Sequence, residues 1–167
     1  SSVYEAPGFL PIIKEIEKLS GKKYSQDAKE TKAMRIIADH IKASVFILAE
    51  KVSPGNVERG YILRRLIRRA IRYARQLNIK ERFTDLLALK VIDIYKDYNH
   101  LEKNKEFILK ELEEEEEKFS DVVEKGIKYF EKIKKSLKSR IISGATAFLL
   151  YQSFGFPIEI TQELAKE

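Results

Sequence analysis

Seven arginines fall within the seventeen residues from Arg59 to Arg75. Arg64, Arg68, Arg72 and Arg75 step by four, four and three, so on a helix they stand in one row, with Arg65 and Arg69 in a second row beside it. Like charges at this spacing destabilise an isolated helix, and no acid is interleaved among them, so the segment needs an external anion. A planar guanidinium binds phosphate or carboxylate bidentately, which makes arginine better suited than lysine to either partner. The density of cations favours phosphate, with Arg59, Arg64, Arg65, Arg68, Arg69 and Arg72 as the contacting set. The alternative is a helical protein-interaction bundle in which the same arginines pair internally with an acidic helix.

Other chemistry is sparse. His40 and His100 are the only histidines, and neither has a carboxylate, Ser or Cys at the spacing of a catalytic or metal triad. Asp39 adjoins His40, but neighbouring helix positions do not share a face. There is no Cys, hence no disulfide, thiol nucleophile or Cys-ligated zinc in this stretch. Neither a GxxxxGK[ST] nor a GxGxxG phosphate loop is present. No catalytic residue, metal site or cofactor site is expected here.

The arginines need a scaffold, and the rest of the sequence predicts an all-α one. Gly (7) and Pro (4) are scarce among 167 residues, while 35% are charged and 44% hydrophobic, which favours long helices around one real core. Pro11 opens a first helix to about Leu19, closed by Gly21. From Ala28 to Glu50, apolar positions recur at three and four, through Ile37, Ile41, Val45 and Leu48. The loop with Pro54, Gly55 and Asn56 follows, and Asn56 is placed to cap the arginine helix. That helix carries an apolar stripe of Tyr61, Leu63, Leu66, Ile67, Ala70, Ala74 and Leu77, and ends at Asn78.

A further helix is predicted from Glu81 to Tyr98, then a turn at Tyr98-Asn99-His100, then one long helix from about 101 to 138. The seam of the long helix is interrupted where Glu115 or Glu116 falls at an apolar phase, which implies a packing partner there rather than a parallel dimer. A short loop around Ser143-Gly144 leads to a helix ending near Phe154, and a terminal helix after Gly155-Phe156-Pro157 completes the chain.

Net charge is +6, unevenly spread. Between Arg35 and Lys80, eleven Lys or Arg face three acids, whereas from Leu101 to Glu124 four lysines face ten acids. A polyanion would therefore be oriented rather than coated. No apolar run approaches the length needed to cross a bilayer, and a monomeric, cytoplasmic chain is expected.

The stretch from Arg35 to Leu77, above all RGYILRRLIRRA, resembles the alanyl-tRNA synthetase family. The resemblance continues through EEEEEKFSDVVEKG (Glu113 to Gly126) and ISGATAFLLYQSFGFPIEITQE (Ile142 to Glu163), and the opening SSVYEAPGFLPII is similar to the segment after the last catalytic motif. It implies a helical region recognising the acceptor stem of alanine tRNA, with residues 1–23 a lead-in and 24–167 the recognition domain. The class II catalytic core, with its ATP and Mg²⁺, would lie upstream, so that this stretch binds RNA without activating alanine. The resemblance also implies that a wobble G·U pair is read by Asn56 and by Gln152, where the family usually has Asp.

Overall fold

A computed structural model describes residues 2–137 and 141–167. Among these residues the fold is all-α, without strands. A single 3-10 turn, Val3–Glu5, precedes α1 (Leu10–Ser20), α2 (Ala28–Ala49), α3 (Glu58–Gln76), α4 (Thr84–Ile94), α5 (Asn99–Lys103), α6 (Lys105–Ser136), α7 (Gly144–Phe154) and α8 (Ile158–Lys166). The chain forms two compact units, residues 1–116 and residues 117–167.

In the first unit α2 and α3 make the principal contact, and α1 and α4 pack against α2. Ile37, Ile41, Val45 and Leu48 of α2 are fully buried together with Leu63, Ile67, Ala70 and Ala74 of α3, which is the three-four rhythm read from the sequence. Asp27 caps α2 by accepting the Glu30 N–H at 2.8 Å. Gly21 ends α1 in the left-handed region, at φ 69°. Beyond α3, Asn78 takes the same conformation at φ 63°.

Three expectations are corrected. The predicted helix over 101–138 is two helices, divided at Asn104, whose side-chain amide donates to the His100 carbonyl at 2.8 Å in competition with the helical ladder. Its far end, Lys138, lies outside the described residues. The residues Asn99 and His100 open α5 instead of forming a turn. The third correction concerns α4, which spans only Thr84–Ile94. Its N-cap, Phe83, brings no capping side chain; the carboxylate of Glu116 instead accepts the N–H groups of Phe83 and Thr84, both at 3.0 Å, and the Thr84 hydroxyl. A residue more than thirty positions away therefore sets where this helix starts.

The second unit is built on aromatic packing. Phe119 and Phe130 of α6 are buried with Leu150, Phe156, Ile160 and Leu164, and the Phe119 and Phe156 rings meet edge to face at 5.8 Å. Ser143 caps α7 by accepting the Thr146 N–H at 3.1 Å. Gly126 lies in mid-helix where a Cβ would stand 2.5 Å from the Phe156 ring.

Two outcomes test this packing. Alanine in a helix interior normally stabilises by about 1 kcal/mol over glycine, but Gly126→Ala is expected to destabilise by about 1–3 kcal/mol, because the Phe156 ring must move; chemical denaturation measures the sign. Burial pushes the Glu116 carboxyl above its ordinary range, against the opposing effect of its hydrogen bonds from Thr84 and Phe83. The native state thus holds this proton more tightly than the unfolded chain, and the resulting stability is present at acid pH and lost as pH rises through the raised value. Relative to Glu116→Gln, the parent is expected to lose stability between the ordinary carboxylate range and neutrality; parallel melting-temperature profiles would contradict this.

Candidate nucleic-acid interface

The arginines of α3 differ in exposure. Asn56 and Arg59 at its leading end are exposed, Arg64 and Arg65 are half-buried, and Arg72 is only 3% exposed. The five residues from Ala70 to Ala74 are all buried, so this turn of the helix is enclosed on every side, while Arg75 and Gln76 beyond it are half-buried. The surface offered to a polyanion is the leading end.

That end is shaped by its loop. The Gly55 N–H donates to the Gly60 carbonyl at 2.9 Å, folding the loop back on the first turn of α3. Gly60 permits the approach, since a Cβ there would lie 2.8 Å from the Ser53 carbonyl oxygen. Val57, not Asn56, is the N-cap, and it supplies no side-chain bond. The expected capping role of Asn56 is therefore corrected: its Oδ1 accepts a hydrogen bond from the Arg64 guanidinium. Arg64 also reaches the Pro54 carbonyl at 3.5 Å.

Glu115 supplies the anion that the arginine row lacks. This carboxylate is 2% exposed and accepts from Arg68 Nε at 2.6 Å, while Arg64 Nε stands 3.2 Å away as an ion pair without hydrogen-bond alignment. Arg72 donates to Gln76 at 3.4 Å and lies 4.6 Å from the Tyr73 ring centroid. Arg75 donates to the Ile79 carbonyl at 2.6 Å. On the second row, Arg69 lies 2.6 Å from His40 Nε2. An arginine N–H can only donate, so Nε2 accepts and the imidazole proton sits on Nδ1, 3.5 Å from Asp39. Asp39 and His40 thus do approach each other, in a structural contact that ends on a guanidinium.

Of the six arginines expected at phosphate, then, Arg72 is buried and Arg68 is paired with Glu115. The sequence reading also missed the cavity beside Arg59, of about 380 Å³, lined by Phe46, Ile47, Glu50, Arg59 and Ile62. Signals existed for Glu115, an acid at an apolar phase, but none for the His40 contact. Gln152 is exposed on α7 in the second unit, next to Tyr151 and one turn from Phe148, which is 62% exposed. Asn56 belongs to the first unit. Among the described residues, no group of three or more His, Cys, Asp or Glu is arranged to hold a metal ion, and no helix is long and apolar enough to cross a membrane.

Known proteins share this sequence throughout. It is 51% identical over 170 residues to the alanine–tRNA ligase of Borrelia garinii, covering 100% of this chain and 29% of that protein. Against the alanine–tRNA ligase of Staphylococcus epidermidis the identity is 43% over 167 residues, covering 98% and 19% respectively. For that of Desulfitobacterium hafniense it is 41% over 174 residues, covering 100% and 20%. The chain thus spans less than a third of the length of these relatives. The family described as tRNA synthetases class II (A) matches residues 1–167, and the chain belongs to that family.

Proposed function

We propose that this chain is the acceptor-stem recognition region of an alanine–tRNA ligase, the enzyme that attaches alanine to its tRNA using ATP. It lies downstream of the catalytic core, where ATP and Mg²⁺ bind, and it binds RNA without forming the adenylate. Residues 1–23 are the lead-in from that core and residues 24–167 the recognition domain. The partner is the acceptor stem of alanine tRNA, met by a monomeric cytoplasmic protein. Asn56 and Gln152 read the wobble pair, and Arg59 and Arg65, with part of Arg64, meet phosphates.

The observation that carries this reading is the exposed Asn56 amide at the head of α3, held by one arginine and followed by the exposed Arg59. A wobble pair presents an unpaired guanine amino group in the wide minor groove of A-form RNA, within reach of such a side chain. Glu115 favours a second reading for the middle of α3, in which Arg68 and Arg72 stabilise the bundle and take no part in RNA binding.

Fluorescence anisotropy with acceptor-stem hairpins, carrying G·U or a Watson-Crick pair, separates the two across a salt series. Arg59→Ala is expected to weaken both hairpins equally and reduce the slope of log affinity on log salt by about 1. Arg68→Ala is expected to leave that slope unchanged and instead destabilise the fold by about 1–3 kcal/mol, because Glu115 loses its aligned donor. Asn56→Ala should cost about 1–3 kcal/mol of discrimination with little change in binding to the Watson-Crick stem. Salt-independent association, or no preference for G·U in the parent chain, would return the arginines to a purely internal role.

A further inference from the structure

Arg64 touches both the Asn56 amide and the buried Glu115 carboxylate. Each contact constrains the next. Glu115 is anchored first, by its burial and by the 2.6 Å bond from Arg68, which leaves the carboxylate no freedom to turn away. Its charge then fixes Arg64 Nε at 3.2 Å. The planar fork points its two terminal nitrogens at the loop, one on the Pro54 carbonyl and one on Asn56 Oδ1. Since a guanidinium offers donors only, the amide atom facing it must be the oxygen, and the Asn56 nitrogen is turned the other way.

We infer that Glu115 is a specificity-determining positioning residue: acting through Arg64, it locks the Asn56 amide with its N–H₂ outward, so that Asn56 addresses base-edge acceptors in the minor groove. This inference rests on the proposed base-reading role of Asn56. It also revises the chemistry of that role. An amide oxygen left free to accept would meet the guanine amino group, whereas the locked amide donates, and the minor-groove acceptor that tells the pairs apart is pyrimidine O2, which wobble pairing displaces from its Watson-Crick position. A buried carboxylate that never touches RNA thereby selects which hydrogen-bonding partner an exposed side chain seeks. Rotating the Asn56 amide requires breaking the Arg64 contact, and Arg64 is restrained by the charge beneath it.

The test uses the chain as it stands, with hairpins carrying G·U or G·C at the wobble position, and reads the ratio of the two affinities. Four variants are compared: Asn56→Ala, Glu115→Gln, Arg64→Lys and the double variant Asn56→Ala with Arg64→Lys. Glu115→Gln keeps shape but removes the charge. Arg64→Lys keeps the charge but has no fork to span both partners, and it remains informative should Glu115→Gln fail to fold, as circular dichroism melting would reveal. Asn56→Ala is expected to lower the ratio by roughly tenfold, and Arg64→Lys and Glu115→Gln by roughly three- to tenfold, with binding to the G·C hairpin and its salt slope unchanged in Glu115→Gln. The double variant is expected to match Asn56→Ala alone, since the two act through one amide.

An unchanged ratio in a folded Arg64→Lys or Glu115→Gln variant, beside a collapsed ratio in Asn56→Ala, would overturn the positioning role while leaving base reading by Asn56 intact. Additive losses in the double variant would do the same. A ratio that Asn56→Ala leaves untouched would overturn both.

Discussion

Two adjacent carboxylates, Glu115 and Glu116, are buried to within 3% of full exclusion from solvent, and the first unit is organised around satisfying them. An ionised carboxylate withdrawn from water costs several kcal/mol unless partners replace its hydration. Consecutive helical residues point about 100° apart, so the two cannot share partners. Glu115 turns to Arg64 and Arg68 of α3, while Glu116 turns to the start of α4. Residues 113–117 are all glutamate, so sliding α6 by one residue would still bring an acid to each of these places, and the donors alone do not set the register. Register at the head of α6 comes from the buried Ile108 and Leu112, and the two acids fall where donors meet them once that register is set.

The same constraint decides what the arginine helix offers to solvent. A row of cations at four-residue spacing is unfavourable by itself, and the structure relieves it from within at Arg68 and Arg64, by Gln76 and the Tyr73 ring at Arg72 and by a backbone carbonyl at Arg75. Relief comes from α6 and from local acceptors rather than from an RNA. What remains outward is concentrated where Gly60 lets the loop fold against the helix and brings Asn56 beside Arg64.

Much of this fold is legible in the sequence because it is local. The rhythm of α2 and α3, the Gly21 and Asn78 terminators and the serine cap of α7 each depend on residues within a turn of one another. The failures are non-local. The start of α4 is set by Glu116, and nothing within α4 announces it. The break at Asn104 leaves the apolar rhythm intact on both sides, with Leu101 and Ile108 both buried, so periodicity cannot detect it. The burial of Arg72 is invisible for a different reason: an amphipathic stripe predicts one buried face, whereas residues 70–74 are buried all round. At the site, Asn56 was visible as a loop polar residue, but which atom of its amide faces outward depends on a carboxylate 59 positions later.

A tethered amide with few exposed guanidiniums beside it implies a division between affinity and selectivity. Each phosphate contact contributes a slope of roughly −0.7 to −0.9 in log affinity on log salt, so on the proposed reading a leading end with few phosphate contacts would gather RNA weakly and without regard to sequence. Selectivity must then come from geometry, because weak electrostatic capture tolerates many poses. An amide free to flip can accept in one pose and donate in another, and would satisfy either a wobble or a Watson-Crick edge by rotating. On the proposed reading, fixing its orientation before RNA arrives removes that freedom, so a pair whose pyrimidine O2 lies elsewhere leaves a donor unsatisfied at a cost of about 1–3 kcal/mol. On this view the internal ion pairs of α3 are not cations withdrawn from the RNA surface to no purpose: their rigidity is what permits a small polar contact to discriminate.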